Sequence, residues 1–234
     1  MDLKELEILG SQAPSHWYYQ AKYKALTKVV GGATGVLDVG SGSGLFPRRM
    51  LEDDSASWAV CVDPGYATDR DEIVNGKPFG FRRSIDTTQA DLVLMMDVLE
   101  HVSDDVALVR EYVDKVASGT RFLVTVPAFS WLWSGHDDFL EHYRRYTIAG
   151  LDRSLSRGGL IVDKKFYYYG LLFPIAATSR LASRLRGSKK PGSALKPVHP
   201  LVNSMLLAAC RMELPFFQMN GIAGLTAMAL ARKP

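Results

Sequence analysis

The sequence predicts an α/β fold with a doubly wound, mostly parallel sheet and an antiparallel C-terminal strand. Two observations support this prediction. Short apolar runs rich in β-branched residues alternate with helical segments up to residue 128, which is typical of a parallel sheet covered by helices. A loop with three glycines follows the first of these runs, and ligands bind at such loops because they lie at the carboxyl ends of parallel strands.

The first four elements are predicted to be a helix, a strand, a helix and a strand. Residues 1–30 are expected to form an N-terminal helical cap, because HWYYQAKYKALTKVV places large apolar residues at spacings of three and four. After a Gly31-Gly32 turn, the run GVLDVG is too short for a helix. GLFPRRMLED indicates a helix that tolerates Pro47 in its first turn, and SWAVCVDPG indicates the second strand.

The middle of the chain is expected to supply three more strands and one helix. FGFRRSID is a candidate third strand, and ADLVLMMDVLEH is a buried fourth strand that runs into a loop. DDVALVREYVDKV is amphipathic and has Ser103 as its expected N-cap. TRFLVTVPA is the predicted fifth strand.

The C-terminal part departs from this alternation. GLIVDKKFYYYGLLF and GIAGLTAMALARK indicate two further strands, with an apolar-then-basic stretch and a helix near Pro200–Glu213 between them. We therefore expect one domain over residues 1–234, with a helical and basic insertion at 174–215 before the last strand.

Composition limits the classes of function. The chain has 234 residues, of which 47% are hydrophobic and 23% charged, and a net charge of +3, as in an ordinary globular protein. Its two cysteines, Cys61 and Cys210, exclude a disulfide framework and a four-cysteine zinc site. Acidic residues stand near the N-terminus where a signal peptide would carry a basic patch, so we expect a cytoplasmic location.

Nine basic residues and no acidic residue lie between Lys164 and Arg211. This block indicates either an anionic partner or surface, or a solvated face. Within it, residues 166–179 carry no charge, but a bilayer-spanning helix needs about 20 apolar residues. We expect a strand followed by a lid that admits an apolar or amphipathic acceptor. The alternative is peripheral membrane contact through residues 166–190.

The glycine loop is Gly40-Ser41-Gly42-Ser43-Gly44. Glycines at a strand–helix junction let a ligand approach the main chain, and the helix N-terminus offers N–H groups to an anion. A dinucleotide fingerprint would need glycine at Leu45. Asp38 is available to a cationic group, and Asp63, which closes the second strand, is placed to accept hydrogen bonds from a ribose diol. The pattern fits a ligand with an adenosine, an amine and a carboxylate.

These residues resemble the first motif of class I S-adenosylmethionine-dependent methyltransferases, (D/E)-x-G-x-G-x-G, which the chain matches without a gap from Asp38 to Gly44. The chain also resembles a bacterial subgroup with H-(F/W)-(W/Y)-(F/Y) near the N-terminus and L-W-S…H-x-R-R-Y-T after the fifth strand. Here these segments are residues 16–19 and 132–147. The resemblance implies a Rossmann-like fold and S-adenosylmethionine as cofactor.

The resemblance also implies which residues hold the cofactor. The glycine loop would wrap the methionine part, Asp63 would hold the ribose hydroxyls, and Pro64 would pack near the adenine. Asp86 would contact the adenine amine, although a role in a turn at a strand end is an equal alternative. The complete implied set is Asp38, Gly40, Ser41, Gly42, Gly44, Asp63, Pro64, Asp86, Met96 and Asp97.

The segment WLWSGHDDFLEHYRRY, residues 131–146, is the expected source of catalytic groups because it follows the fifth strand. Positioning supplies much of the rate of methyl transfer, and a general base helps when the acceptor carries a proton. His136 and His142 are the candidate bases. If the segment is helical, His142, Arg145 and Tyr146 share one face. Alternatively, its arginines form a structural network with Asp137, Asp138 or Glu141.

The predicted function is methyl transfer from S-adenosylmethionine to an oxygen or nitrogen of a small-molecule or lipid-like acceptor. One alternative is a metal-dependent O-methyltransferase. Asp97, Glu100 and His101 resemble the E-x-x-E-H metal site of small-RNA 2′-O-methyltransferases and some ubiquinone-pathway O-methyltransferases, which His136 or His142 would complete. D-V-L-E-H also occurs in metal-free relatives, so the predicted site includes no metal.

Two other classes of function remain as alternatives: a nicotinamide-dependent oxidoreductase, which Leu45 disfavours, and a non-catalytic cofactor-binding protein. A nucleic-acid substrate is disfavoured because the basic residues form no stripe interleaved with aromatic residues.

Overall fold

The computed structural model describes residues 8–185, 192–193 and 195–234. Eight strands form one sheet in the order β3-β4-β2-β1-β5-β6-β8-β7. The strands are β1 Ala33–Val39, β2 Ala56–Val62, β3 Arg70–Val74, β4 Lys77–Arg82, β5 Leu92–Met96, β6 Arg121–Pro127, β7 Ile161–Tyr168 and β8 Thr226–Arg232. Seven α-helices are described: α1 Trp17–Val30, α2 Leu45–Glu52, α3 Asp105–Asp114, α4 Gly135–Phe139, α5 Ile148–Arg157, α6 Phe173–Leu185 and α7 Pro200–Glu213.

The five central strands of the sheet, β4, β2, β1, β5 and β6, are parallel. The last strand, β8, is antiparallel to both of its neighbours, β6 and β7. The predicted fold class, a Rossmann-like and mostly parallel sheet with an antiparallel C-terminal strand, is therefore confirmed.

Both faces of the sheet are covered, which explains why its inner strands are continuously apolar in the sequence. One core cluster joins α1, α2 and α7 to the sheet, and the other joins α3 and α5 to its opposite face. Alternate residues of β5 take part in the two clusters, since Leu94 belongs to the first and Val93 to the second. The parallel strands end side by side, with Val39 opposite Val62 and Met96 opposite Thr125. Loops after β1, β2, β5 and β6 therefore meet at one edge.

The structure differs from the sequence predictions at four places. An antiparallel strand, β3, precedes β4 and is joined to it through Asn75 and Gly76, both of which have positive φ. Helix α5 was not predicted, although Thr147 caps it by accepting a hydrogen bond from the Gly150 N–H at 3.0 Å. Asp104 rather than Ser103 caps α3.

The fourth difference is the conformation of residues 142–146. The chain has no helix there, because α4 ends at Phe139 and Tyr146 forms an isolated bridge with Ala128. The condition under which His142, Arg145 and Tyr146 would share a helix face is therefore not met.

After β7 the chain turns and forms α6, and α7 precedes β8. Of the basic residues between these elements, Arg186, Lys189 and Lys190 lie outside the described residues. Within the described ranges, none of the helices has the length and apolar composition needed to cross a membrane.

Candidate active site

The glycine loop has an unusual backbone at three alternate positions. Gly40, Gly42 and Gly44 have φ angles of 61°, 54° and 71°, in the left-handed region that glycine adopts at least cost. A Cβ atom on Gly40 would lie 2.9 Å from a methyl carbon of Val98, so the loop approaches the segment after β5 closely. At Gly40, both the positive φ and the nearness of Val98 therefore favour glycine.

Gly44 has a different reason for being glycine. It is the N-cap of α2, and a Cβ atom there would lie 2.8 Å from Cys61 Sγ and 2.9 Å from Phe79 Cζ. The position that a side chain would occupy at Gly44 is therefore filled by residues of the sheet. Close packing of α2 against β2 and β4 accounts for this glycine.

Tyr66 fixes the glycine loop from the side of β2. Its hydroxyl donates to the Gly42 carbonyl at 2.7 Å and lies 2.6 Å from Ser41 Oγ, which donates in turn because the phenol has a single proton. Asp63 holds the same loop through Oδ2, which accepts a hydrogen bond from the Gly42 N–H at 3.0 Å. Tyr66 is not among the residues predicted from the sequence, where its signal is an aromatic residue in the turn after β2.

Asp38 is buried in β1, below the loop. Burial raises the pKa of its carboxyl group to about 7, and the negative charge of Asp63 acts in the same direction. A cation bound close to Asp38 would therefore stabilise the ionised form of its carboxyl group.

One cavity, of about 590 Å³, lies between the loops after β1, β2 and β5. We call it the glycine-loop cavity. Of the predicted cofactor residues, it is lined by Gly40, Asp63, Pro64 and Asp97. Five others do not line it and are buried: Asp38, Ser41, Gly42, Gly44 and Met96. Asp86 is exposed and does not line the cavity, whereas Arg83 and Ser84 of the same segment do.

A second cavity, of about 410 Å³, lies between the sheet edge and helices α1, α6 and α7. We call it the aromatic cavity. Its apolar wall is formed mainly by Trp17, Tyr18, Tyr19, Phe46, Tyr169, Leu172, Ile175 and Leu206. Its polar groups include Lys22, Asp97, Glu100, His101, His136, His142, Arg145 and Arg180. The HWYY element and the segment after β6 therefore line the same cavity.

The two cavities share Asp97 and His101. Asp97 directly follows β5 and has a φ of 57°, a strained conformation for a residue other than glycine. Its carboxylate is paired with Lys22 Nζ and accepts hydrogen bonds from the Tyr18 and Thr125 hydroxyls, each at 3.0 Å. Burial alone would raise the pKa of Asp97, but the Lys22 ammonium lowers it below its ordinary value.

Lys22 is a site residue that sequence analysis missed. It is buried on the core-facing side of α1, among Ala21, Ala25 and Leu26. A lysine inside an apolar stripe is the only signal in the sequence, because lysine is almost never buried without a partner.

His142 is held by a buried ion pair. Its Nδ1 lies 3.0 Å from Asp137 Oδ1, and the Arg145 guanidinium donates two hydrogen bonds to the same carboxylate, at 2.5 and 2.9 Å. Burial opposes ionisation of Asp137, but these hydrogen bonds hold its pKa well below the usual range. Because an ionised carboxylate only accepts, His142 donates through Nδ1 and presents a lone pair at Nε2. The predicted network between Arg145 and Asp137 is present.

The second predicted base, His136, belongs to the same cluster. Its ring lies 6.4 Å from that of His142, and the ring of His101 lies 4.6 Å from His142 at an interplanar angle of 82°. Burial lowers the pKa of His136 to about 4. His136 is therefore neutral at pH 7 but a weaker base than an ordinary histidine.

Glu100 also belongs to this cluster. The side chain is buried, and its Oε2 has no hydrogen-bond partner among the described residues. Burial raises the pKa of Glu100, and the charge of Asp97 adds to this effect. Ligand atoms of Glu100, His101 and His142 all lie within 4.8 Å of one another, a spacing that could hold a metal ion.

Comparisons with known proteins extend these observations. A family model described as a methyltransferase domain matches residues 18–165. A search of curated protein sequences gives no match. An S-adenosylmethionine-dependent methyltransferase from Archaeoglobus fulgidus has a similar structure, with a TM-score of 0.56 and 16% identity over 99% of this chain and 98% of that one.

Two further solved structures show that enzymes of different reactions share this fold. Coclaurine N-methyltransferase, bound to N-methylheliamine and S-adenosylhomocysteine, has a TM-score of 0.54 and 12% identity over 100% of this chain and 79% of that one. The 4+2 cyclase SpnF has a TM-score of 0.55 and 17% identity over 92% of this chain and 80% of that one. At these identities the likeness is one of fold.

Proposed function

The chain belongs to the methyltransferase-domain family, and on this premise we propose that it transfers a methyl group from S-adenosylmethionine to an oxygen or nitrogen of a small-molecule or lipid-like acceptor. One observation carries the proposal: Asp97 and His101 line both cavities. A donor in the glycine-loop cavity and an acceptor in the aromatic cavity would meet at these two residues. In-line displacement requires this kind of proximity.

The residues of the glycine-loop cavity fit S-adenosylmethionine. Asp63 offers carboxylate oxygens to the ribose hydroxyls, and Gly40 brings main chain to the wall of the cavity. Asp38, whose pKa is about 7, would carry its negative charge more fully when the cationic amine is nearby. When bound, the cofactor would supply a methyl group on a sulfonium, from which a neutral thioether is a good leaving group.

His142 is the proposed general base. His142 Nε2 would accept the proton that the acceptor's oxygen or nitrogen loses on methylation. Asp137 then stabilises the imidazolium through Nδ1, 3.0 Å away. Arg145 keeps Asp137 ionised and in place, so it is a positioning residue for the base.

Calorimetric titration with S-adenosylmethionine and with NADH tests the proposal and its oxidoreductase alternative. We expect binding of the first ligand alone, weakened at least roughly tenfold by Asp63→Ala because the ribose hydroxyls lose a charged acceptor. Asp86→Ala is the matched control, since Asp86 is an exposed carboxylate that does not line the cavity. Preference of the wild type for NADH would contradict the proposed cofactor site. So would equal affinities for S-adenosylmethionine in the wild type, Asp63→Ala and Asp86→Ala.

A second candidate function is metal-dependent O-methyl transfer. Two observations favour it: Glu100 Oε2 has no hydrogen-bond partner within the described part of the chain, and ligand atoms of Glu100, His101 and His142 lie close together. His142 would then bind the ion through Nε2, with Asp137 orienting the ring from the other side. The sequence-based alternative also used Asp97 as a metal ligand. In the structure, the Asp97 carboxylate is instead paired with Lys22.

Chelation separates the two mechanisms. The base mechanism predicts that methyl transfer survives exhaustive treatment with a chelator and is unchanged by added Mg²⁺, Mn²⁺ or Zn²⁺. The metal mechanism predicts loss of activity, recovery with one of these ions, and loss of ion binding in Glu100→Gln.

A further inference from the structure

Large apolar side chains are exposed along α7 and the turn that follows it. Leu201, Met205 and Met212 lie on one side of the helix, at spacings of four and seven residues. Beyond the helix, Phe216, Met219 and Ile222 are 68%, 84% and 88% exposed. We call these six residues the α7 face. Side chains of this size exposed in succession are uncommon on a globular surface unless they contact something.

Basic residues accompany the α7 face. Arg211 is exposed on α7 beside Met212, and Lys196 is exposed just before the helix. Both belong to the block of nine basic and no acidic residues between Lys164 and Arg211. The acidic residue of α7, Glu213, turns inward, and its carboxylate accepts hydrogen bonds from the N–H groups of Gly170 and Leu171, at 2.8 and 3.4 Å.

The aromatic cavity reaches the surface between the same elements. Leu206 of α7 and Ile175 of α6 line it, and Ile175 is 68% exposed. Arg180 of α6 also lines the cavity and donates to the Leu132 carbonyl at 2.7 Å. The mouth of the cavity is therefore apolar, with cationic groups beside it.

We propose that the α7 face docks on an anionic lipid surface, with Phe216, Met219 and Ile222 entering the interface and the basic residues contacting the headgroups. Charge distinguishes this partner from a second copy of the chain, because two α7 faces would bring like charges together. Apolar side chains beside a basic segment are the combination that binds anionic bilayers. No described helix crosses the bilayer, so the contact is peripheral.

Docking of this face would place the mouth of the aromatic cavity at the membrane. If the chain transfers a methyl group as proposed, the acceptor is then a lipid-soluble molecule that enters the cavity between α6 and α7 directly from the membrane. This step rests on the proposed function. The docking itself needs neither the cofactor nor the acceptor, and it is tested without them.

Vesicle co-sedimentation of the full chain tests the proposal. We expect binding to vesicles of phosphatidylcholine with about one third phosphatidylglycerol, at least roughly tenfold stronger than to phosphatidylcholine alone and weaker at high salt. The triple variant Phe216→Ser/Met219→Ser/Ile222→Ser should reduce this binding roughly tenfold or more. Ile73→Ser is the matched control, because Ile73 is 71% exposed on β3 at the opposite edge of the sheet.

Three results would overturn the proposal: no binding to the anionic vesicles, equal binding by wild type and the triple variant, or a dimer in solution that the triple variant abolishes. Titration with S-adenosylmethionine distinguishes the two proposals. Intact cofactor binding without vesicle binding removes only the docking, and vesicle binding without cofactor binding removes only the proposed methyl transfer. Cofactor binding by the triple variant also verifies that it folds.

Discussion

At the scale of single residues, the buried Lys22 determines the state of Asp97. The two side chains form an ion pair between α1 and the end of β5, at the boundary between the two cavities. The Lys22 side chain is 1% exposed and that of Asp97 is 26% exposed. Removing one partner of such a pair leaves a poorly solvated charge, which costs more than the intact pair contributes.

We expect Lys22→Met to lower the free energy of unfolding by about 2–3 kcal/mol at neutral pH, as measured with urea. Asp97 has a lowered pKa in the wild type, so the stability it provides is present above the ordinary carboxyl pKa and lost as pH falls through the lowered value. The difference between the two proteins should therefore shrink on acidification. Lys24→Met, an exposed lysine of the same helix, is the control and should be nearly neutral.

His136 provides a second prediction at this scale. Its pKa is about 4 when folded and 6.5 as an unperturbed group, so the unfolded chain binds more protons between these values and stability falls as pH falls from 6.5 to 4. His136→Gln should flatten this part of the profile of unfolding free energy against pH, and His199→Asn, an exposed helix cap, should not. An unchanged slope in His136→Gln would show that this ring is solvated.

At the scale of elements, the glycine loop and helix α2 depend on each other. Tyr66 and Asp63 hold the loop from the end of β2, and Gly44 lets the start of α2 lie against Cys61 and Phe79. The cavity wall is therefore a consequence of helix–sheet packing. Substitutions where α2 packs against the sheet should therefore weaken cofactor binding even though the substituted residues do not contact the cofactor.

Gly44→Ala tests this dependence. We expect a loss of about 2–4 kcal/mol in unfolding free energy, because the added methyl meets Cys61 Sγ at 2.8 Å in addition to the cost of positive φ. Gly76→Ala is the control, since Gly76 has a φ of 74° and no atom within 4 Å of an added Cβ. It should cost only about 1–2 kcal/mol. Equal losses would mean that packing at Gly44 relaxes freely.

A further prediction at this scale concerns the segment after β6. His142→Ala should lower kcat roughly 10²- to 10⁴-fold while leaving the affinity for S-adenosylmethionine unchanged, because His142 lines the aromatic cavity only. His136→Ala should lower kcat less, because burial lowers the pKa of His136 to about 4 and makes it a poor base. Loss of cofactor affinity in His142→Ala would instead indicate a structural role.

At the scale of the whole molecule, the cofactor cavity and the fold should be thermodynamically linked. A ligand at about 100 times its Kd stabilises the folded state by about 2.7 kcal/mol. For a chain of this length, we expect saturating S-adenosylhomocysteine to raise Tm by roughly 5–10 °C in calorimetry. Asp63→Ala should reduce the shift at the same ligand concentration, whereas an equal shift with NADH would contradict the assignment of the cavity.

Much of the architecture could be predicted from the sequence because its signals are local. Continuous apolar runs alternate with amphipathic helices, so the mostly parallel sheet and its antiparallel C-terminal strand were predicted and are confirmed. The Asn75-Gly76 turn and the Thr147 cap were also local signals, and β3 and α5 were predictable from them.

The sequence by itself determined the family and its cofactor class. Asp38 and the glycines of the loop lie within seven consecutive residues, and the family match confirms the resemblance and, at the level of the family, S-adenosylmethionine as cofactor. The individual cofactor residues, the location and the domain boundaries remain predictions.

Only the tertiary structure decided how the chemical groups are combined. Lys22 and Asp97 are 75 residues apart in the chain, and no periodicity relates them. His142 and Arg145 meet Asp137 through an irregular segment rather than a helix face. The convergence of two cavities at Asp97 and His101 depends on four loops that lie together because parallel strands end at one edge of the sheet. Long-range packing, which leaves no regular pattern in the sequence, determines such contacts.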